Sequence, residues 1–191
     1  MLTTESRGNG TGRVTMTREE LARGLRQAAY LEGDFVLRSG RRSKYYLDKY
    51  RFETRPDLLG PLGEALAAAV REHEPEATRL AGPELGAVAL AAAASLQSGL
   101  PFLIVRKAAK DYGTANRLEG VHEDGESVCL IEDVVTSGGA AIDAIQALRE
   151  VGLRVSTAIC VVDREEGGVD ELARHAVRLR PLFRASELLA N

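Results

Sequence analysis

Aromatic side chains make up only 5% of this 191-residue chain, and the formal net charge is only -3. That combination supplies neither a set of base-stacking platforms nor a general coat for nucleic acid, so nucleic acid is not an expected partner. No stretch approaches the roughly 18 consecutive apolar residues that cross a bilayer. The amino-terminal MLTTESRGNGTGRVTMT also lacks the apolar core of a signal peptide. The expectation is a cytoplasmic protein with no membrane partner. Cysteine is scarce as well: Cys129 in SVCLI and Cys160 in AICVVD lie in separate apolar runs without a paired ligand spacing. They read as buried thiols, which excludes a disulfide framework and a zinc site. What remains is 45% hydrophobic and 28% charged, enough for one ordinary domain with a substantial core.

Residues 1–16 are rich in Gly, Thr and Ser and read as a tail. Thr17 and Glu20 have capping-box spacing, and Leu21, Leu25 and Ala28 then recur on one face, predicting a first helix to about Leu31. The segment DFVLRSGRRSKYYLDKYRF has two apolar runs around Ser39-Gly40 and reads as a β-hairpin. Residues 38–51 carry Arg38, Arg41, Arg42, Lys44, Lys49 and Arg51 against the single acid Asp48, a concentration of positive charge that favours an anionic ligand. From Pro56 the pattern alternates: a helix at 57–73, a strand near Leu80, an Ala-rich helix at 86–97, and strands at 101–105 and 127–131. A helix at about 139–150 and a strand at 155–162 follow. Short apolar runs separated by helices predict an α/β protein, a central parallel sheet flanked by helices, with ligands at the carboxyl ends of its strands.

The strongest chemical signal is VCLIEDVVTSGGAAIDAI, in which a buried strand ends in Glu132-Asp133 and passes through Thr136-Ser137-Gly138-Gly139 into a helix. Free N–H groups and the helix dipole attract a phosphate there, and the glycines let the backbone come close. The two acids would repel that phosphate and must face other groups. Vicinal sugar hydroxyls or the waters around Mg²⁺ meet that need. In VRKAAKDYGTANRLEG, Arg106, Lys107 and Lys110 lie in a polar stretch after a buried strand, which reads as a mobile lid. Arg164 follows the strand VSTAICVVD and can fork onto a carboxylate, which lysine cannot do.

The segment from Val128 to Ala140 resembles the ribose-phosphate motif of type I phosphoribosyltransferases, which bind 5-phosphoribosyl 1-diphosphate (PRPP). With FVLRSGRRSKYY, AGPELGAVALA, VRKAAKDYG followed by LEG, and VVDREEGG, the chain from about residue 17 to 190 is similar to orotate phosphoribosyltransferases. The resemblance implies the type I phosphoribosyltransferase fold as a single domain over 17–191. A hood at about 17–52 and 177–191 would cover a core at about 53–176. It also implies a homodimer in which the lid closes over a neighbouring subunit's site. Lys110 would be the main catalytic lysine, Asp133 would share in catalysis, and Arg106 and Lys107 would grip the diphosphate. Glu132 would bind PRPP together with Asp133, and the run Val134, Val135, Thr136, Ser137, Gly138, Gly139 and Ala140 would hold its ribose phosphate. Glu84, Leu85 and Gly86 would cradle the diphosphate. Arg164, with Arg38, Tyr46 and Leu47 from the hairpin, would bind orotate.

The chain departs from the family at three places. Some relatives carry a lysine in the turn where this chain has Glu84 and Leu85. Tyr112 stands where a histidine is usual and would also meet the diphosphate, but it stays neutral at pH 7. Ala140 stands where Ser or Thr is common, removing one phosphate donor. The implied reaction joins orotate to PRPP to give orotidine 5′-phosphate and diphosphate, with Mg²⁺ bound mainly through PRPP and water near Glu132 and Asp133 and with no direct protein ligand. A phosphoribosyltransferase for another base and a PRPP-sensing regulator are the alternatives.

Overall fold

The computed structural model describes residues 16–36, 40, 42–108 and 117–190. Helix α1 (Arg18–Ala29) begins at the expected capping box. Thr17 Oγ1 accepts from the Glu20 amide at 3.2 Å, and the Thr17 amide donates to the Glu20 carboxylate at 2.8 Å. The helix stops two residues earlier than its periodicity predicts. Tyr30 and Leu31 are drawn into strand β1 (Tyr30–Val36), opposite Leu47 and Tyr46 of the antiparallel β2 (Arg42–Leu47). The expected hairpin therefore forms, and Leu47 anchors it in the core.

A one-turn helix α2 (Tyr50–Glu53) leads to α3 (Pro56–His73), whose first residue is a proline pre-set for a helix start. Then follow β3 (Arg79–Pro83), α4 (Gly86–Ser98), β4 (Phe102–Val105), β5 (Leu118–Glu119), β6 (Ser127–Val135) and α5 (Gly139–Glu150). The chain ends with β7 (Arg154–Asp163), α6 (Gly168–Arg174), β8 (Arg178–Arg184) and α7 (Ala185–Leu189). The main sheet has the order β5-β4-β3-β6-β7-β8. Strands β4, β3, β6, β7 and β8 are parallel, as alternation of strands and helices requires, but β5 is antiparallel to β4. The sheet is thus mixed rather than wholly parallel, because the chain doubles back beside β4.

Residues 178–184, grouped with the hood on sequence grounds, form the opposite edge of this sheet beside β7. RLRPLFR suits an edge: exposed arginines discourage further pairing, and an edge strand tolerates Pro181. The end of β8 and α7 meet the amino-terminal region, where the Arg18 guanidinium donates to Leu182 O and to the Glu187 carboxylate, each at 2.9 Å.

Two apolar layers sandwich the sheet. Leu25, Leu62, Leu66 and Leu90 of α1, α3 and α4 pack on Cys129, Ile131 and Ile159. Ile145, Leu148 and Leu172 of α5 and α6 pack on Leu130, Ala158 and Cys160. Neighbouring strand residues point to opposite layers, as the period of two demands. Both cysteines are free and buried, one in each layer, and burial pushes both thiols' pKa values up. No helix among the described residues is long and apolar enough to cross a membrane.

Candidate active site

Strand β6 does not end at the acid pair. Its ladder with β7 continues through Glu132 opposite Cys160 to Val135 opposite Asp163. The two acids are therefore successive strand residues and lie on opposite faces. Asp133 shares the face of Ile131, under the hairpin and the start of α4, whereas Glu132 shares the face of Leu130. Both are buried, at 3% and 6% exposure. A side-by-side acid pair, as the sequence suggests, does not form.

Asp133 has partners that the sequence does not reveal. Lys49, in the turn between β2 and α2, places Nζ 2.5 Å from Asp133 Oδ2, while the Val134 amide donates to Oδ1 at 2.5 Å. The lysine passes directly over Gly86. A Cβ at Gly86 would lie 1.8 Å from Asp133 Oδ2 and 2.9 Å from Lys49 Nζ, so only glycine lets the three elements meet. Burial opposes the Lys49 charge, but the combined pull of Asp133, Glu53 and Tyr50 raises its pKa above the usual lysine value.

Glu53 of α2 completes the cluster; it is buried, and its Oε1 has no hydrogen-bond partner among the described residues. Burial first, then the adjacent Asp133, pushes the Glu53 carboxyl from 4.5 up to about 8. The same two causes in the same order push Glu132 up to about 8. Below about pH 4.5 the folded and unfolded states both hold these protons. Between 4.5 and about 8 the unfolded chain releases protons that the folded chain keeps, so stability falls as pH rises and levels off above about 8. Glu53→Gln should therefore melt near the wild type at pH 4.5 and increasingly above it towards pH 8. Each kcal/mol corresponds to roughly 2–4 °C in a domain of this size. Parallel melting curves across that range would remove Glu53 as the titrating group.

After β6, Thr136 and Ser137 are exposed, and Gly138 takes a φ of +87° as the N-cap of α5. No side chain caps that helix, so its first N–H groups point free into the turn beside Gly139 and Ala140. A Cβ on Gly139 would meet nothing within 4 Å, which leaves open space at the helix start.

At the end of β7, the Arg164 amide donates to Val135 O at 2.8 Å, fixing the residue beside the same turn. Its side chain is only 7% exposed and donates through one terminal nitrogen to Glu166 Oε1 at 3.1 Å. Nε is buried with no hydrogen-bond partner among the described residues. A buried, unpaired donor of this kind calls for an acceptor. The guanidinium lies 5.4 Å from the ring centroid of Tyr45, which itself stacks on Tyr30. The hairpin thus reaches Arg164 through Tyr45. Tyr46 points the other way, packs against Phe35 and is 40% exposed, while Leu47 is a core residue. Alternation from the buried Leu47 was the available signal, since it puts Tyr45 on the inner face.

Glu84 and Leu85 form the turn into α4, and Leu85 is exposed. The Glu84 carboxylate accepts the Lys107 amide at 2.7 Å and lies 3.9 Å from the Arg106 guanidinium, whose other side is 3.7 Å from Glu119. Arg106 N donates to Arg117 O at 2.8 Å, Arg117 Nε donates back to Arg106 O, and Arg117 forks onto Asp143 of α5. The base of the basic stretch is therefore pinned to the sheet. Arg38, Lys110 and Tyr112 lie outside the described residues.

No protein-family model matches the chain. Orotate phosphoribosyltransferase from Aeropyrum pernix shares its architecture, with a TM-score of 0.81 at 33% identity over 89% of this chain and 96% of that one. The corresponding enzyme of Mycobacterium tuberculosis, in complex with PRPP, gives a TM-score of 0.76 at 27% identity over 90% and 98% of the two chains. The sheet, the hairpin above its carboxyl edge and the uncapped turn after the acidic strand define a type I phosphoribosyltransferase. Orotate phosphoribosyltransferase from Methanocella arvoryzae is 50% identical over 172 residues, covering 89% of this chain and 96% of the relative. The chain belongs to the orotate phosphoribosyltransferase family, the pentosyltransferases of pyrimidine biosynthesis.

Proposed function

We propose that this chain converts orotate and PRPP to orotidine 5′-phosphate and diphosphate through the residues gathered at the carboxyl edge of the sheet. The hood is the hairpin with α1 and α7, and the core is the sheet with its remaining helices. The orotate ring nitrogen forms a bond to ribose C1 as the bond from C1 to the diphosphate oxygen breaks, the electron pair leaving with diphosphate. Thr136 to Ala140 would hold the 5-phosphate at the uncapped start of α5, and Asp133 would accept from the ribose hydroxyls. Arg164, capped by Tyr45, would take the orotate carboxylate, with Arg38 beside it.

Arg106, Lys107 and Lys110 would stabilise the charge that develops on the departing diphosphate in a closed site, with Tyr112 close by. The lid would serve the neighbouring subunit of a homodimer. PRPP chemistry in this family works with a divalent cation, and we assign Mg²⁺. Asp133 is a hard oxygen donor suited to its bound waters, whereas Glu132 lies on the opposite face with its carboxyl pushed up to about 8, and no cluster of three His, Cys, Asp or Glu among the described residues is placed to hold a metal. The ion would therefore ride mainly on the oxygens of PRPP, shielding their charge.

The observation that carries this reading is the buried Arg164, whose Nε has no hydrogen-bond partner among the described residues and whose amide is bonded to Val135 beside the phosphate turn. Orotate has the carboxylate that such a group requires, and most nucleobases do not. The test is diphosphate release from PRPP and Mg²⁺ with a panel of bases. Release with orotate and none with adenine, guanine, hypoxanthine or uracil is the expected result. Release with a purine alone would overturn the assignment of Arg164.

A further inference from the structure

The diphosphate cradle lacks a cation of its own: AGPELG contains no basic residue, and Glu84 adds a negative charge. Leu85 is the N-cap of α4 and provides no side-chain cap, so the helix start offers only backbone N–H groups. The structure brings a cation to this spot from another element. Lys49 Nζ lies 2.9 Å from where a Gly86 Cβ would be, against the first residue of α4. We infer that Lys49 is the diphosphate-binding cation of this turn, held ready across Gly86 by Asp133. This rests on the reaction proposed above.

The chemistry of the contact supports the role. An ammonium carries three donors, of which Asp133 takes one. The lysine side chain is 34% exposed, unlike its 5% exposed partner, so an incoming ligand can reach it from solvent. It also lies 5.3 Å from the centre of the Tyr50 ring, a contact that needs no N–H donor. Ribose hydroxyls donating to Asp133 and diphosphate oxygens accepting from Lys49 would then meet on adjacent partners, matching the order of groups around C1 of PRPP. In relatives with a lysine inside the turn, the charge comes from the turn itself. Here it comes from the hood, so hood and core must be correctly seated before diphosphate is held.

Calorimetric titration of the whole protein with Mg²⁺-diphosphate and, separately, with orotidine 5′-phosphate tests this. The second ligand has the ribose, base and 5-phosphate but no diphosphate. Lys49→Met should weaken diphosphate binding by about 10- to 100-fold and raise the KM for PRPP similarly, with orotidine 5′-phosphate binding unchanged. Lys49→Arg should recover most of the loss. Lys49→Gln, which keeps polarity without charge, should behave as Lys49→Met and serves if the methionine variant does not fold. Unchanged diphosphate binding would overturn the inference. So would an equal loss for both ligands, which would make Lys49 only a support for Asp133. Wild-type turnover of orotate is measured alongside: its absence would sink the proposed reaction, whereas normal turnover with unaltered diphosphate binding in the variants would sink only the role of Lys49.

Discussion

Gly86→Ala should lower kcat/KM for PRPP by about a hundredfold or more, the scale of loss expected when reacting groups are displaced by about 1 Å. The new methyl would sit 1.8 Å from Asp133 Oδ2, 3.0 Å from Asp133 Cγ and 2.9 Å from Lys49 Nζ, so something must move. Asp133 is buried in strand β6 with its Oδ1 bonded to the Val134 amide, which leaves it little freedom. Either the Lys49–Asp133 pair opens or the start of α4 lifts from the sheet, and each outcome disturbs the proposed PRPP site. Gly60→Ala is the matched control. It lies in α3, where a Cβ meets nothing within 4 Å, and should keep full activity with a gain of about 0.5–1 kcal/mol from better helix propensity. A Gly86→Ala enzyme with wild-type kinetics for PRPP would show that Asp133 and the α4 turn do not act on the same substrate.

Arg164→Lys should cost about 2 to 4 kcal/mol in kcat/KM for orotate, or roughly 30- to 1000-fold, with the KM for PRPP little changed. The substitution keeps the charge but loses the planar fork and the buried Nε, which has no hydrogen-bond partner among the described residues. It also removes the flat group under Tyr45, so the variant loses its stacking contact as well as its hydrogen bonds. Steady-state kinetics with each substrate varied in turn separates the two sites. Loss of PRPP binding instead would mean that Arg164 answers a phosphate rather than the orotate carboxylate.

Elements with strong local patterns were legible in the sequence. The capping box at Thr17, the runs PFLIV and SVCLI and the Gly-Gly turn each gave an element within a few residues of its observed bounds. The short or edge elements were not. A two-residue strand such as β5 has no periodicity to read, and β8, with arginines alternating around Pro181, resembles a polar loop until β7 lies beside it. The site divided in the same way. Acids, glycines and Arg164 announced themselves by type and position at strand ends. Lys49 was visible only as one of several basic residues in the hairpin, because its place against Asp133 depends on where three separate elements meet. The opposite directions of Tyr45 and Tyr46 could have been read from strand alternation alone.

The placement of the two cysteines has a practical consequence. Cys129 belongs to the layer under α3 and α4, and Cys160 to the layer under α5 and α6. Neither thiol ionises readily, and they point away from each other, so oxidants have little to act on while the chain is folded. An alkylating reagent can reach either sulfur only when its layer opens. The protein thus carries a built-in pair of clocks, one on each side of its sheet, and the labelling rates of the two thiols report whether the two sides breathe together or apart.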